Sequence, residues 1–343
     1  MQDLLQTFDE ITSIENLFQC WDEYKRGKGK KLDIQCFDRF REDNILKLRE
    51  ELIKGTYTHG KYQEFKVRDP KLRIINKATV KDRLLHHILY KSLANAVDHR
   101  LEFHSYVCRK GKGLHAAVRH LRKSMYQVSQ NNTTTCYALK MDIKRYFDTI
   151  DHDILKQDLR RYVQDENIFR LHDQLIDSFC TLSGKGVPLG NITSQIYANL
   201  YLTPFDRFLK HQLKCAHILR YSDDWVVLSR SKQELQNLIE PIKGFLEERL
   251  KVEIHPDKTI LTSDLLGIDF LGYVHFPNHT LVRNSTKLRM ATRLEQRLHD
   301  YHLGKRSGAS LNQSLQSYMG ILSHANEYRF AIELQNRFGG SYR

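Results

Sequence analysis

The 343-residue chain has no apolar run near the roughly 18 residues that would cross a bilayer. Its start, Met1 to Gln6, carries no basic segment leading into an apolar core. The sequence therefore reads as cytoplasmic, with no membrane partner. Cysteine is sparse: six are scattered at 20, 36, 108, 136, 180 and 215, with neither C-x-x-C nor H-E-x-x-H. That spacing supports neither a zinc site nor a disulfide framework and leaves reduced thiols. Only six prolines occur, with no low-complexity tract and no internal repeat, so long disordered linkers are not expected. Acidic residues are the scarcer charge, 41 against 54 Lys and Arg, for a net charge of +13. A balance that basic favours a polyanionic partner, nucleic acid above all. The length suffices for two or three packed units.

Residues 1 to about 55 show helical periodicity, with Ile14, Leu17, Phe18 and Trp21 on one face and Gly55 as a stop. The basic loop from Lys25 to Lys31 suits a phosphate contact or an ordinary solvated face equally. Tyr62 to Arg68, an Asp69-Pro70 turn and Lys71 to Ile75 form an expected hairpin. Lys71 and Arg73, two apart, share a face of it; that pattern suits a phosphate ligand or a charge-protected edge strand. A helix is expected over 82–97, where His86 and His87 read as packed or solvated. Gly111 to Ala116 fits G-x-G-x-x-A after a strand-like Phe103 to Cys108, but no acid stands about 20 residues on, which argues against a dinucleotide site. Arg109, Lys110 and Lys112 make a loop contacting backbone phosphate the better reading.

Tyr137 to Ile143 is the cleanest strand, and its alternation brings Asp142 out on the less apolar face. A carboxylate there is costly unless it is paired or metal-bound. Asp151 reads as an N-cap, Thr203-Pro204 as a helix restart and Ser231 to Glu234 as a capping box. Val252 to Ile254 and Phe270 to Val274 read as strands, with Gly272 where a backbone or ligand passes close. From about 281 a basic helix packs Leu294, Leu298 and Tyr301 on one side and offers cations on the other.

His217 to Ser229 places Asp223 and Asp224 between two short apolar runs, the pattern of a hairpin with polar residues at its tip. Alone, such a pair fits an Asp-rich turn capped by its own side chains. With Asp142 it offers three carboxylates able to hold two divalent ions about 3.5–4 Å apart, the arrangement for in-line phosphoryl transfer. Mg²⁺ suits such oxygen ligation, with Mn²⁺ as a substitute.

The order Asp142-Ile143-x-x-Tyr146-Phe147, then Tyr221-Ser222-Asp223-Asp224, then Phe270-Leu271-Gly272-Tyr273 resembles the palm of reverse transcriptases, over roughly residues 60–330. The resemblance implies an α+β right hand with an antiparallel-sheet palm, mixed fingers and a helical thumb. It divides the chain into an N-terminal extension (1–60), fingers (61–135 and 157–185), palm (136–156 and 186–276) and thumb (277–343), with no room for an added endonuclease or RNase H domain. It implies that Asp142, Asp223, Asp224 and the Ile143 carbonyl ligate metal and that Lys71 and Arg73 hold the incoming triphosphate. It further makes Phe147 the gate against a 2′-hydroxyl, Lys258 a lysine near pyrophosphate and Phe270 to Tyr273 the primer grip. Ser317 to Gly320 with His324 resemble the thumb of group II intron-like bacterial enzymes.

Many bacterial relatives carry Pro-Gln-Gly before Ser-Pro; here Pro188-Leu189-Gly190 precedes Ser194-Gln195. That form is similar to reverse transcriptases of diversity-generating retroelements. These copy a template-repeat RNA with errors at adenine, using deoxynucleoside triphosphates and an oligomeric helical accessory protein. Leu189 and Gln195 thereby become nucleotide-site candidates, because Leu189 cannot hydrogen-bond at the nascent pair. A reverse transcriptase of a defence system or intron lineage is the nearest alternative, and a non-catalytic RNA-binding scaffold is a more distant one.

Overall fold

The computed structural model describes residues 6–68 and 71–340, so the expected Asp69-Pro70 turn lies outside the described residues. Four helices open the chain: α1 (Phe8–Ile11), α2 (Ile14–Lys25), α3 (Leu32–Arg39) and α4 (Arg41–Ile53). Thr7 and Glu10 form a capping box on α1, and the Ser13 hydroxyl accepts the Asn16 N–H at the start of α2. The buried stripe of α2 is Leu17, Cys20, Trp21 and Tyr24, whereas Ile14 is left exposed at the rim. Gly55, at φ +68°, follows α4 as the expected stop. In the basic loop Lys25 pairs with Asp22 and Asp38, and the Lys28 ammonium sits 3.8 Å from the Tyr24 ring centre.

The hairpin of β1 (Gln63–Arg68) and β2 (Leu72–Lys77) follows, with β1 exposed throughout. Next come α5 (Val80–Val97) and α6 (Leu114–Val128). Between them, Phe103 to Cys108 is not a strand. Only Ser105 bridges Arg220, in parallel, through Tyr106 N–H to Arg220 O (3.0 Å) and Arg220 N–H to His104 O (2.8 Å). Nor is Arg109 available for phosphate, because its guanidinium is spent on Asp98 and on the carbonyls of Asp98, Glu102 and Ser105. Lys112 likewise donates to the Phe103 carbonyl.

The central sheet is antiparallel in the order β4 (His217–Tyr221), β5 (Asp224–Ser229), β3 (Tyr137–Met141), β6 (Ile260–Ser263). Leu139, Met141, Trp225 and Val227 turn to the main core, which the N-terminal helices, α5, α8 (His152–Arg160), α9 (Glu166–Asp177), α10 (Ile192–Tyr201) and α12 (Lys232–Leu250) complete. The short α7 (Tyr146–Thr149) and α11 (Thr203–Arg207) join these pieces. Ala138, Leu219, Val226 and Leu228 face the other way, onto α6, Ile268 and Phe270. A three-stranded sheet of β7 (Ile268–Phe270), β8 (Tyr273–His275) and β9 (Thr280–Val282) leads into α13 (Asn284–His302), α14 (Gly308–Leu322) and α15 (Tyr328–Phe338). These pack a third core around Met290, Leu294, Leu311, Leu315 and Phe338. No helix among the described residues is long and apolar enough to cross a membrane.

Local expectations shift in three places. The helix restart has Leu202 as its cap, because the Thr203 hydroxyl instead bonds the Asn199 carbonyl. Ser231 caps α12, but Glu234 reaches Ser229 rather than closing the box. Val252 to Ile254 forms only a single bridge, between Ile254 and Ile143.

Two buried polar arrangements hold the layers. His172 on α9 bonds the Tyr197 hydroxyl (2.7 Å), and His86 on α5 bonds the Thr193 hydroxyl (2.6 Å), both partners lying on α10. Arg220 and Asp206 form a fully buried pair with two bonds, Nε to Oδ1 (2.7 Å) and Nη2 to Oδ2 (2.6 Å). Removing one member leaves an uncompensated buried charge, so Arg220→Met should cost about 3–5 kcal/mol by denaturant unfolding. Pairing it with Asp206→Leu should recover much of that loss, and strict additivity of the two would refute the pairing argument. Burial depresses both His86 and His172 to about 3. The unfolded chain takes up those protons first, so stability is full above about 6.5 and falls as pH drops towards 3. The stability gap between wild type and His172→Leu should narrow between pH 7.5 and 5, and a constant gap would contradict the assignment.

Candidate active site

Strands β4 and β5 close through a two-residue turn, Ser222-Asp223, beyond the paired Tyr221 and Asp224. Ser222 is at φ +59° while Asp223 is not left-handed, the pattern of a type II′ hairpin turn. A serine at positive φ there costs on the order of 1–3 kcal/mol. Beneath the turn, Arg220 Nη1 donates to the Ser222 carbonyl (3.1 Å), and Nη2 reaches Ser105 Oγ (3.1 Å) and the Asn199 carbonyl (3.3 Å). The strained peptide is thus held from below by a buried guanidinium.

Asp142 lies one residue past β3. The ladder pairs Met141 with Trp225, so one further step along it sets Asp142 opposite Asp224. The Asp142 main-chain carbonyl accepts the His255 N–H (2.7 Å), and its carboxylate takes the Lys258 ammonium. Lys144 N–H to Glu253 O completes a non-hydrogen-bonded Ile143–Ile254 pair. The Ile143 carbonyl consequently turns away from Ile254, to the side on which β5 lies.

Burial first, and then the neighbouring Asp142 and Asp224 charges, raise the Asp223 pKa above its usual range. Burial raises Asp224 too, against the opposing pull of Lys140, whose Nζ is 3.2 Å from Asp224 Oδ1. The three carboxylates are thus close enough to disfavour one another's charge, and lysines offset two of them. Among the described residues no group of three or more His, Cys, Asp or Glu stands ready-arranged around a cation position.

A cleft of about 540 Å³ opens beside the hairpin. Arg73, Phe147, Leu189, Gln195, Asp223, Asp224 and Leu271 all line it, with Arg145, Asp148, Asn191, Ser194 and Tyr221 among the others. One wall is stitched to the Asn76 main chain of β2: Asn76 N–H donates to Leu189 O (2.8 Å), and the Asn191 side-chain Nδ2 donates to Asn76 O (3.2 Å). Gly190 between them, at φ +114°, would bring a Cβ to 2.7 Å from Ile75. Gln195 accepts the Cys108 thiol at 3.3 Å. Phe147 packs edge-on against Tyr146, whose hydroxyl bonds the Ala198 carbonyl in the core.

Other expected residues sit apart from this lining. Lys71 is exposed just before β2, while Asp142 and Lys258 pair at the end of β3. Phe270 to Tyr273 is a tight turn and not one strand, because Leu271 (φ +51°) and Gly272 (φ +87°) are both left-handed, as in a type I′ hairpin. Gly272 has no atom close to where a Cβ would stand, so its freedom serves the turn and not a close approach. Phe270 is buried, and the Tyr273 hydroxyl donates to the Ile321 carbonyl of α14 (3.1 Å). Sequence reasoning missed Lys140, Arg220 and Asn76. The first two were visible as cations inside otherwise apolar strands; Asn76 carries no such signal.

The sequence profile of the family described as reverse transcriptase (RNA-dependent DNA polymerase) matches residues 65–275. The chain is 22% identical to Protein YkfC of Escherichia coli over 280 residues, covering 70% of this chain and 71% of YkfC. It is also 22% identical to the group II intron-encoded protein LtrA of Lactococcus lactis, covering 74% of this chain but only 53% of LtrA. Among solved structures, telomerase from Candida tropicalis in complex with a telomeric RNA fragment aligns over 87% of this chain and 59% of that one, at 13% identity and TM-score 0.47. With a profile match running from β1 to the end of β8 and enclosing the carboxylate hairpin, the chain belongs to the reverse transcriptase family.

Proposed function

We propose that the chain copies a template-repeat RNA into cDNA for a diversity-generating retroelement, with errors concentrated at template adenine. The observation that carries this reading is that Leu189 and Gln195, the two departures from the common bacterial pattern, line the same cleft as Asp223, Asp224 and Arg73. The residue ranges assigned above to N-terminal extension, fingers, palm and thumb belong to the proposal.

Asp142, Asp223, Asp224 and the Ile143 carbonyl are assigned as holders of two divalent cations, Mg²⁺ by preference. The donor chemistry fits, being all oxygen, with carboxylates that repel one another and attract ammonium groups. Bound cations would supply a lowered pKa at the primer 3′-hydroxyl and neutralisation of the departing pyrophosphate. The chain's own residues do the rest. Arg73 and Lys71 bind the triphosphate, and Lys258 waits beside Asp142 for the charge that develops on pyrophosphate. Phe147 walls off a 2′-hydroxyl. Phe270 to Tyr273 orient the primer end, and the basic α13 follows the RNA–DNA hybrid. Template RNA and an oligomeric accessory protein are the partners of this reading.

The similarity to LtrA supports a second reading, an intron-lineage enzyme with ordinary fidelity. The Leu189 side chain separates the two. Its main chain is pinned by Asn76, so Leu189→Gln exchanges the side chain without moving the wall. A regained hydrogen bond is worth about 0.5–1.5 kcal/mol, so misincorporation opposite template adenine should fall about 2–10-fold in primer extension. Unchanged error rates would sink the proposed role. Asp223→Asn should cut extension by more than the roughly 10–100-fold typical of losing an outer-shell partner. Extension by that variant at the wild-type rate would remove Asp223 from the cation-holding set, and no extension by wild type itself would leave only the scaffold reading.

A further inference from the structure

Lys140 stands on β3, two residues before Asp142 and on the same face, in a central strand where a lysine must be desolvated. Its side chain is only 15% exposed. The ammonium is fully directed, with Asp224 Oδ1 at 3.2 Å, the Asp269 main-chain carbonyl at 2.6 Å and the Phe270 ring centre at 5.6 Å. These partners belong to two different sheets. Asp224 opens β5, whereas Asp269 and Phe270 lie on β7, and no strand pairing joins β5 to β7.

The Asp269 carbonyl is free to be taken for a simple reason. In the β7–β8 hairpin, Phe270 and Tyr273 close the two-residue turn and Asp269 opposes Val274. The antiparallel ladder alternates, so if the closing pair is hydrogen-bonded the Asp269 groups point away from β8. Lys140 meets that carbonyl. Two residues further along, Leu271 lines the cleft that Asp223 and Asp224 also line. A single ammonium therefore ties the carboxylate hairpin to the turn whose Leu271 lines the same cleft.

We propose that Lys140 is a positioning residue that fixes the Asp224 carboxylate and the spacing between the hairpin and the Leu271-Gly272 turn, and thereby the place of the primer end relative to the carboxylates. Lys140 engages one oxygen of Asp224 and leaves the other for a ligand. It touches neither primer nor nucleotide; it acts through Asp224 and the turn. The inference rests on the polymerase reading given above.

The test uses the full chain with a DNA primer annealed to an RNA template and compares wild type, Lys140→Met, Lys140→Gln and Lys140→Arg. Thermal unfolding without metal measures the structural contribution, anisotropy measures primer–template affinity, and Mn²⁺ titration followed by electron paramagnetic resonance measures cation affinity. Lys140→Met should lower kcat about 10–100-fold and weaken Mn²⁺ binding, with primer–template affinity changed less than about threefold. Lys140→Arg, which keeps the charge and the donors, should recover part of both losses. Lys140→Gln, a shorter and uncharged donor, should fall between. If Lys140→Met does not fold, the Gln and Arg variants decide: equal kcat and equal Mn²⁺ affinity in those two would overturn the proposal. Loss of activity only in proportion to unfolded protein would also overturn it. If wild type extends and Lys140→Met matches it, the inference alone falls; if wild type adds no nucleotide, the polymerase reading falls and takes the inference with it.

Discussion

The buried pair between Arg220 and Asp206 is the interaction on which the rest of the site depends. Its guanidinium holds Asp206 of α11 with two bonds while reaching Ser222 O in the hairpin turn, Asn199 O on α10 and Ser105 in the loop before α6. The hairpin turn, α10, α11 and the distant loop around Ser105 thus meet on one side chain. Desolvating two ions is costly, and the Coulombic return alone does not ensure a gain. Here all the bonds converge under a turn whose first residue is left-handed, so the pair supports a strained geometry as well as bulk stability.

Above that support, the chemistry-bearing end of the sheet is organised by charge balance. Asp142 meets Lys258, Asp224 meets Lys140, and Asp223 is flanked by both other carboxylates. Each lysine comes from a different element, one preceding β6 and one on β3. The hairpin is therefore bounded by ammonium groups that offset part of its negative charge.

Much of this was legible in the sequence because local rules agreed with the final packing. The alternation of β3 put Asp142 on the face it occupies, and the two apolar runs around Asp223-Asp224 became β4 and β5. Other readings failed where a few atoms outweighed a pattern. Phe103 to Cys108 is apolar enough for a strand, yet both its ends are turns and only Ser105 pairs. Phe270 to Val274 looked continuous, but two left-handed residues fold it into a hairpin turn, and sequence gives little warning of a left-handed leucine. Arg109 read as a phosphate contact because its carbonyl partners are main-chain atoms, which residue types do not reveal. Asn76 was invisible for the same reason, since its amide N–H, not its side chain, takes Leu189 O.

The parallel bridge between Ser105 and Arg220 has one more consequence. Strand β4 is an outer strand of the central sheet, and its exposed amide row would otherwise be a template for pairing with another chain. The two bonds flanking that bridge occupy the Arg220 amide and carbonyl on the outer side. Edge-to-edge self-association is blocked there at the strand that carries the carboxylate hairpin, which leaves the four-residue β6, at the far margin, as the sheet's open edge among the described residues.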